Sequence, residues 1–92
     1  MTAIVRIPTQ LRTLSGGDAE VKVDGSTVGE VLAALDAQYP GFQGRLFDDE
    51  GKLRRFVNVF VADEDVRFMS GLDTPVTEGQ VVSIIPAVAG GG

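Results

Sequence analysis

The sequence predicts an α+β roll, in which a mixed sheet of four to five strands has one main helix packed on one face. Two observations support this fold class. Alternating, β-branched segments occur near both ends of the chain and in its middle, at residues 3–7, 56–61 and 81–88. One segment, residues 24–40, instead has apolar residues at helical spacing. Two strands, then a crossover helix, then further strands is the order typical of such a roll.

The first two strands are predicted to form a hairpin. Residues 3–7 and 20–24 alternate between apolar and other side chains, as strands with one buried face do. Gly16 and Gly17 between them indicate a turn. The connection is too long for a tight two-residue turn.

The main helix is predicted from its apolar spacing and its end signals. The apolar positions are Val28, Val31, Leu32 and Leu35. Thr27 and Glu30 fit a capping box, with a hydroxyl N-cap and a carboxylate three residues later. Pro40 and Gly41 are expected to end the helix. Gly29 in its first turn predicts a close approach of the helix to the sheet.

The second half of the chain is predicted to contain two loops. Residues 41–55 are irregular, and three of their apolar side chains are expected to pack against one end of the core: Phe42, Leu46 and Phe47. Residues 70–80 form a loop with one helical turn.

The remaining strands follow these loops. Residues 56–61 are the clearest strand, residues 62–65 turn the chain, and residues 66–68 form a short edge strand. The last strand spans residues 81–88. Regular pairing should end at Pro86, which has no N–H for a ladder.

Composition excludes several kinds of site. The 92-residue chain has no cysteine and no histidine, so it offers no thiolate and lacks the commonest general base and metal ligand; we expect no metal site. The net charge of −5 disfavours nucleic acid and anionic membranes and suits a partner with a basic face. No apolar run reaches membrane-spanning length and no signal peptide is evident, so a cytoplasmic protein is expected. Residues 1–86 are predicted as one domain, followed by a flexible glycine-rich tail, residues 87–92.

Three segments carry a resemblance to a known family. They are "RIPTQLR" at residues 6–12, "GKLRRFVNVFVADEDVRF" at residues 51–68 and "VSIIPAVAGG" at residues 82–91. The chain resembles the β-grasp (ubiquitin-like) sulfur carriers of the MoaD/ThiS family, and most of all the actinobacterial carrier that delivers sulfur for cysteine synthesis. The resemblance implies a β-grasp fold and a protein that is a cosubstrate and not an enzyme.

The resemblance also implies a chemistry at the chain end. An E1-like adenylyltransferase and sulfurtransferase, using ATP and magnesium, would activate the last carboxylate and convert it to a thiocarboxylate. That group would sit on Gly92, or on Gly91 if a JAMM-type metalloprotease trims the chain. The carrier itself binds no cofactor. The residues threaded into partner sites would be Ala87, Val88, Ala89, Gly90, Gly91 and Gly92.

The strand pattern predicts two faces of the sheet. The inward residues are Val5, Ile7, Val57, Val59, Val61, Val82 and Ile84, and the outward ones are Ile4, Arg6, Phe56, Asn58, Phe60, Ser83 and Ile85. The family's partners grip the outer face, so we expect Pro8, Phe60 and Ile85 to contact them. Alternatively, the connection at residues 41–55 covers Phe56 or Phe60.

The sulfur acceptor is not fixed by the sequence. The resemblance favours a cysteine synthase-like enzyme as the acceptor, and a thiazole synthase-like or similar enzyme is an alternative. Two other functions stay open: a ubiquitin-like modifier conjugated to lysines, and a non-catalytic small subunit of a heteromeric synthase. The acidic runs at residues 48–50 and 63–65 either pair with a basic partner or form solvated turns.

Overall fold

The computed structural model describes residues 2–55 and 57–86. Five strands lie within these residues: β1 (Thr2–Arg6), β2 (Glu20–Asp24), β3 (Val57–Val61), β4 (Glu64–Asp65) and β5 (Val81–Pro86). The α-helices in this part of the chain are α1 (Val28–Gln38) and α2 (Phe42–Leu46). Short 3-10 helices occur at Thr9–Leu11, Val66–Phe68 and Gly71–Asp73.

The strands form a single mixed sheet in the order β2-β1-β5-β3-β4. β1 and β5 are parallel, and the other neighbouring strands are antiparallel. The predicted mixed sheet with one main helix is therefore confirmed, as is the β1–β2 hairpin. Because β1 and β5 are parallel and β3 is antiparallel to β5, β1 and β5 end at the same edge of the sheet at which β3 begins.

The core lies between one face of the sheet and α1. Every residue predicted to point inward is buried: Val5, Ile7, Val57, Val59, Val61, Val82 and Ile84. The four predicted apolar residues of α1 are fully buried against them. Burying each such side chain contributes about 1.5–3 kcal/mol, so this face holds most of the stability of the domain.

The N-terminus of α1 differs in detail from a capping box. Thr27 Oγ1 accepts a hydrogen bond from the Glu30 N–H at 3.2 Å, as predicted. The Glu30 carboxylate, however, accepts from the backbone N–H and the hydroxyl of Ser26, at 2.9 and 2.8 Å. The reciprocal bond thus goes to the residue before the N-cap.

Gly29 allows a close contact, but not with the sheet. A Cβ added at this position would lie 3.2 Å from the carbonyl oxygen of Leu72, in the 3-10 helix Gly71–Asp73. The predicted contact with the sheet is therefore wrong. At Gly29, α1 instead packs closely on the loop before β5, while its buried apolar residues face the sheet.

The connection at residues 41–55 is more ordered than predicted, because it contains α2. Phe42 and Leu46 on α2 are fully buried, and Phe47 packs against the core while partly exposed. The predicted role of these three side chains in closing the core is confirmed.

The predicted edge strand at residues 66–68 is wrong. The edge strand is β4, and Val66–Phe68 is a 3-10 helix. Ala62 and Asp63 have positive φ values of 51° and 72°, which is typical of a two-residue hairpin turn, so pairing with β3 begins at Glu64. The Asp65 carboxylate then accepts from the Arg67 N–H at 2.8 Å and caps the 3-10 helix.

Candidate functional site

The candidate site is the outer face of the sheet, on the side opposite α1. Its residues in the three central strands are partly or fully exposed: Ile4, Arg6, Asn58, Phe60, Ser83 and Ile85. Ile85 is 49% exposed, whereas the adjacent Ile84 is 2% exposed. The predicted alternation of the two faces is therefore confirmed for these strands. Phe56, also predicted on the outer face, lies outside the described residues.

Two of the three predicted docking residues line one groove. Pro8 and Ile85 lie in a groove of about 370 Å³ between the segment that follows β1 and the end of β5. Phe60 does not line it. Phe60 pairs with Ser83, two positions before Ile85, and so lies on the same face next to the groove. It is partly exposed, so the connection at residues 41–55 does not cover it completely.

The wall of the groove that carries Pro8 is held by hydrogen bonds. The Ile7 N–H donates to the carbonyl oxygen of Ala19 at 2.8 Å, and the Leu11 N–H donates to that of Pro8 at 2.9 Å. Arg12 Nε donates to the carbonyl oxygen of Ile7 at 3.1 Å. A partner that binds here therefore meets a fixed surface, which lowers the entropy cost of binding.

Arg67 organises the other side of the face, and no sequence pattern pointed to it. Its terminal nitrogens donate to Asn58 Oδ1 at 2.9 Å and to the carbonyl oxygens of Val57, Arg54 and Arg55 at 2.7, 2.9 and 3.1 Å. The guanidinium thereby ties the residues that lead into β3 to the 3-10 helix Val66–Phe68. Its hydrogen-bond partners lie at least nine positions away in the sequence, so the spacing of neighbouring residues could not predict this network.

A second feature that sequence reasoning missed is the exposure of Phe68 and Met69. Phe68 is 89% exposed and Met69 is also exposed. A strand at residues 66–68 would have placed Phe68 in the sheet edge, whereas Phe68 ends a 3-10 helix and is exposed. They lie outside the groove.

The carboxylates with a shifted pKa lie outside the groove. The backbone N–H of Ser26, and then its hydroxyl, lower the pKa of Glu30 by hydrogen bonding to the charged form. The N–H of Lys52, and to a lesser degree that of Glu50, lower the pKa of Asp48 in the same way. Both arrangements fix loop geometry and do not poise an acid or base for catalysis.

Within residues 2–55 and 57–86, no group of three metal-ligating side chains comes together. No helix in this part of the chain combines the length and apolar character needed to cross a membrane. The predicted tail, with Gly91 and Gly92, lies outside the described residues. The last described strand ends at Pro86, which pairs with Val57.

Comparison with known proteins identifies the family. Residues 5–91 match the ThiS family. The sulfur carrier protein CysO of Mycobacterium tuberculosis is 50% identical over 93 aligned positions, which cover 99% of this chain and 100% of that protein. A chain of the Amycolatopsis orientalis BexX/CysO complex superposes with a TM-score of 0.90 at 47% identity, covering 97% of this chain and 99% of that one. Small archaeal modifier protein 3 of Haloferax volcanii is 43% identical over 68 residues, 74% of this chain and 73% of that protein. The chain therefore belongs to the ThiS family and is a β-grasp sulfur carrier similar to CysO.

Proposed function

We propose that this protein is a cosubstrate that carries sulfur on its own C-terminal carboxyl group. The group belongs to Gly92, or to Gly91 if a metalloprotease of the JAMM type removes Gly92. The proposal rests on the match to CysO along the full length of the chain. It also rests on the three consecutive glycines at residues 90–92.

The proposed chemistry takes place in partner active sites. A free carboxylate is a poor acyl donor because its leaving group would be oxide. An E1-like enzyme with ATP and Mg²⁺ would link it to AMP and release pyrophosphate. Sulfide would then attack the carbonyl carbon and form a C–S bond as AMP leaves. The resulting thiocarboxylate is a soft nucleophile, and hydrolysis after its attack on an acceptor substrate restores the carboxylate.

Glycine suits an end that must enter successive active sites. Without a Cβ it fits a narrow channel, and it adopts both signs of φ, so one tail can follow differently shaped channels. Six extended residues, 87–92, span about 20 Å. That length is enough to reach a buried site while the folded domain stays at its mouth.

The groove between Pro8 and Ile85, with Phe60 beside it, is the surface that we propose partners grip. A chain 47% identical to this one occurs in a complex of BexX and CysO, which supports binding to a partner protein. A cysteine synthase-like acceptor comes first because of the similarity to CysO, and a thiazole synthase-like or related enzyme is the alternative.

The 43% identity to an archaeal modifier protein supports a second candidate function. In that case the activated end would form an amide bond with a lysine of a target protein instead of accepting sulfur. Both functions begin with the same adenylation, so the acceptor alone separates them.

The intact mass of the protein purified from its native host tests the proposal. We expect the mass gain of one sulfur-for-oxygen exchange at the C-terminus, with Gly92 either present or removed. High-mass conjugates without that exchange would favour the modifier. A variant lacking residues 90–92 should fold normally and take up no sulfur, and full function of this variant would instead support a passive synthase subunit.

A further inference from the structure

The two ends of the sheet carry opposite charge. Five of the eight cationic residues of the chain lie at one of these ends. It is the end at which β1 and β5 finish and β3 begins. We call this group the arginine collar: Arg6, Arg12, Arg54, Arg55 and Arg67. Its members come from three separate segments, which the register of the sheet brings to one edge.

On the β1 side, the collar lines the groove at the end of β5. Arg6 pairs with Ser83, three positions before Pro86. Arg12 lines the same groove as Arg6 and Pro86, and its Nε bond to Ile7 fixes the base of its side chain.

On the β3 side, the collar flanks the first residues of that strand. Arg54 and Arg55 lie just before β3, whose first residue Val57 pairs with Pro86. The guanidinium of Arg67 donates to the carbonyl oxygen of Val57 at 2.7 Å. Cationic side chains therefore stand on both sides of Pro86.

Four carboxylates lie near the five arginines of the collar. Glu20 forms an ion pair with Arg6 at 3.2 Å, Asp65 accepts from the backbone of Arg67, and Asp18 lies in the turn before β2. Asp48 lies near enough to Arg54 to interact with its charge. The opposite end of the sheet instead carries acidic residues: Asp24, Asp63, Glu64 and Glu78. Thirteen acidic and eight basic residues give the whole chain a charge of −5, whereas at the edge near Pro86 the arginines outnumber the carboxylates beside them.

We propose that the arginine collar docks an acidic segment of the activating enzyme that receives the tail. This inference rests on the proposed function. An enzyme that takes up residues 87–92 must approach the edge where β5 ends, and guanidinium groups bind carboxylates with strong, charge-assisted hydrogen bonds. The acidic far end would be repelled by the same surface, so the charge asymmetry turns the basic edge toward the enzyme during encounter.

Arg55→Glu tests the collar with little risk to the fold, because Arg55 is exposed. Lys22→Glu is the matched control. Lys22 is exposed on β2 and pairs with Ile4, which lies at the level of Val81. The control makes the same change in net charge about 17 Å from Pro86 along the strand direction. Melting temperatures check that both variants fold.

The readout is thiocarboxylate formation by the E1-like enzyme with ATP, Mg²⁺ and sulfide, followed by intact mass. For Arg55→Glu we expect KM for the carrier to rise about fivefold with kcat unchanged, because rim charges act on encounter. Arg12→Glu combined with Arg55→Glu should raise KM further, and Lys22→Glu should stay within about twofold of the wild type. About 0.5 M salt should remove most of the difference.

If KM is unchanged for Arg55→Glu, or rises equally for Lys22→Glu, the proposed docking on the arginine collar is wrong. The proposed function is unaffected by either result. No sulfur uptake by the wild-type chain would instead overturn the proposed function, and the collar with it.

Discussion

The two faces of the sheet are built by neighbouring residues and yet are exposed to very different degrees. On β5, Ile84 is 2% exposed and Ile85 is 49% exposed. On β3, Val59 is buried and Phe60 is partly exposed. The difference arises because α1 covers only one face. Stability and binding are therefore assigned to alternate residues of the same strands, and adjacent substitutions can separate them.

The largest expected effect is on the inner face. Ile84→Ala should lower the free energy of unfolding by about 2–4 kcal/mol, because it removes buried methyl groups and leaves a cavity. Urea denaturation followed by circular dichroism measures this. A loss below about 1 kcal/mol would show that the inner face packs less tightly than its burial indicates.

Ile85→Ala is the matched change on the outer face. It should cost less than about 1 kcal/mol of stability, since its side chain is half exposed. Binding to the activating or acceptor enzyme, measured by calorimetry, should weaken instead. A variant that unfolds like Ile84→Ala, or one that binds normally, would break the separation between the faces.

Arg67 tests whether the outer face also contributes to stability. Arg67→Ala removes hydrogen bonds from a charged donor to Asn58 and to carbonyl oxygens before β3, so we expect a loss of about 2 kcal/mol. Arg45→Ala, an exposed residue on α2, is the control and should change stability by less than about 0.5 kcal/mol. Equal urea midpoints for the two variants would show that the network adds no stability.

The smallest expected effect lies in the connection at residues 41–55, away from the groove. The pKa of Asp48 is lowered chiefly by the hydrogen bond from the Lys52 N–H, so its charged form stabilises the fold above its unfolded pKa of about 4. This contribution is lost as the pH falls through the lower pKa of the folded state.

Melting temperatures between about pH 6 and pH 2 measure that contribution. They should fall less steeply in Asp48→Asn than in the wild type. Asp49→Asn is the control at the neighbouring exposed position and should follow the wild type. Partner binding at neutral pH should be unchanged in both variants. A parallel fall in Asp48→Asn and in the wild type would contradict the assigned role of this carboxylate.

The regular elements could be predicted because their periodicity reports burial directly. β1, β2, β3, β5, α1 and the two faces follow from alternation at period two and from helical spacing. Residues 66–68 could not be assigned in this way, since three residues hold too little periodicity. Their 3-10 conformation depends on the cap from Asp65 and on the turn at Ala62 and Asp63.

The site could be predicted only in part. The resemblance to the family led to Pro8 and Ile85, which the structure brings together in one groove. The Arg67 network and the collar depend on strand register, which joins residues far apart in the sequence. The net charge of −5 favoured a basic partner. Net charge sums over the whole chain, so it hides the basic collar at one end of the sheet behind the acidic residues at the other. The reactive end at Gly91 or Gly92 stays a prediction.

Sulfur uptake by a chain with one tryptophan added after Gly92 separates the tail chemistry from docking by the folded domain. Intact mass would show that the added residue stays in place. We expect no thiocarboxylate on this chain, while its folded domain still competes with the wild-type chain for the activating enzyme. Sulfur uptake at the wild-type rate, with the tryptophan still attached, would contradict the assignment of the chemistry to the C-terminal carboxyl group.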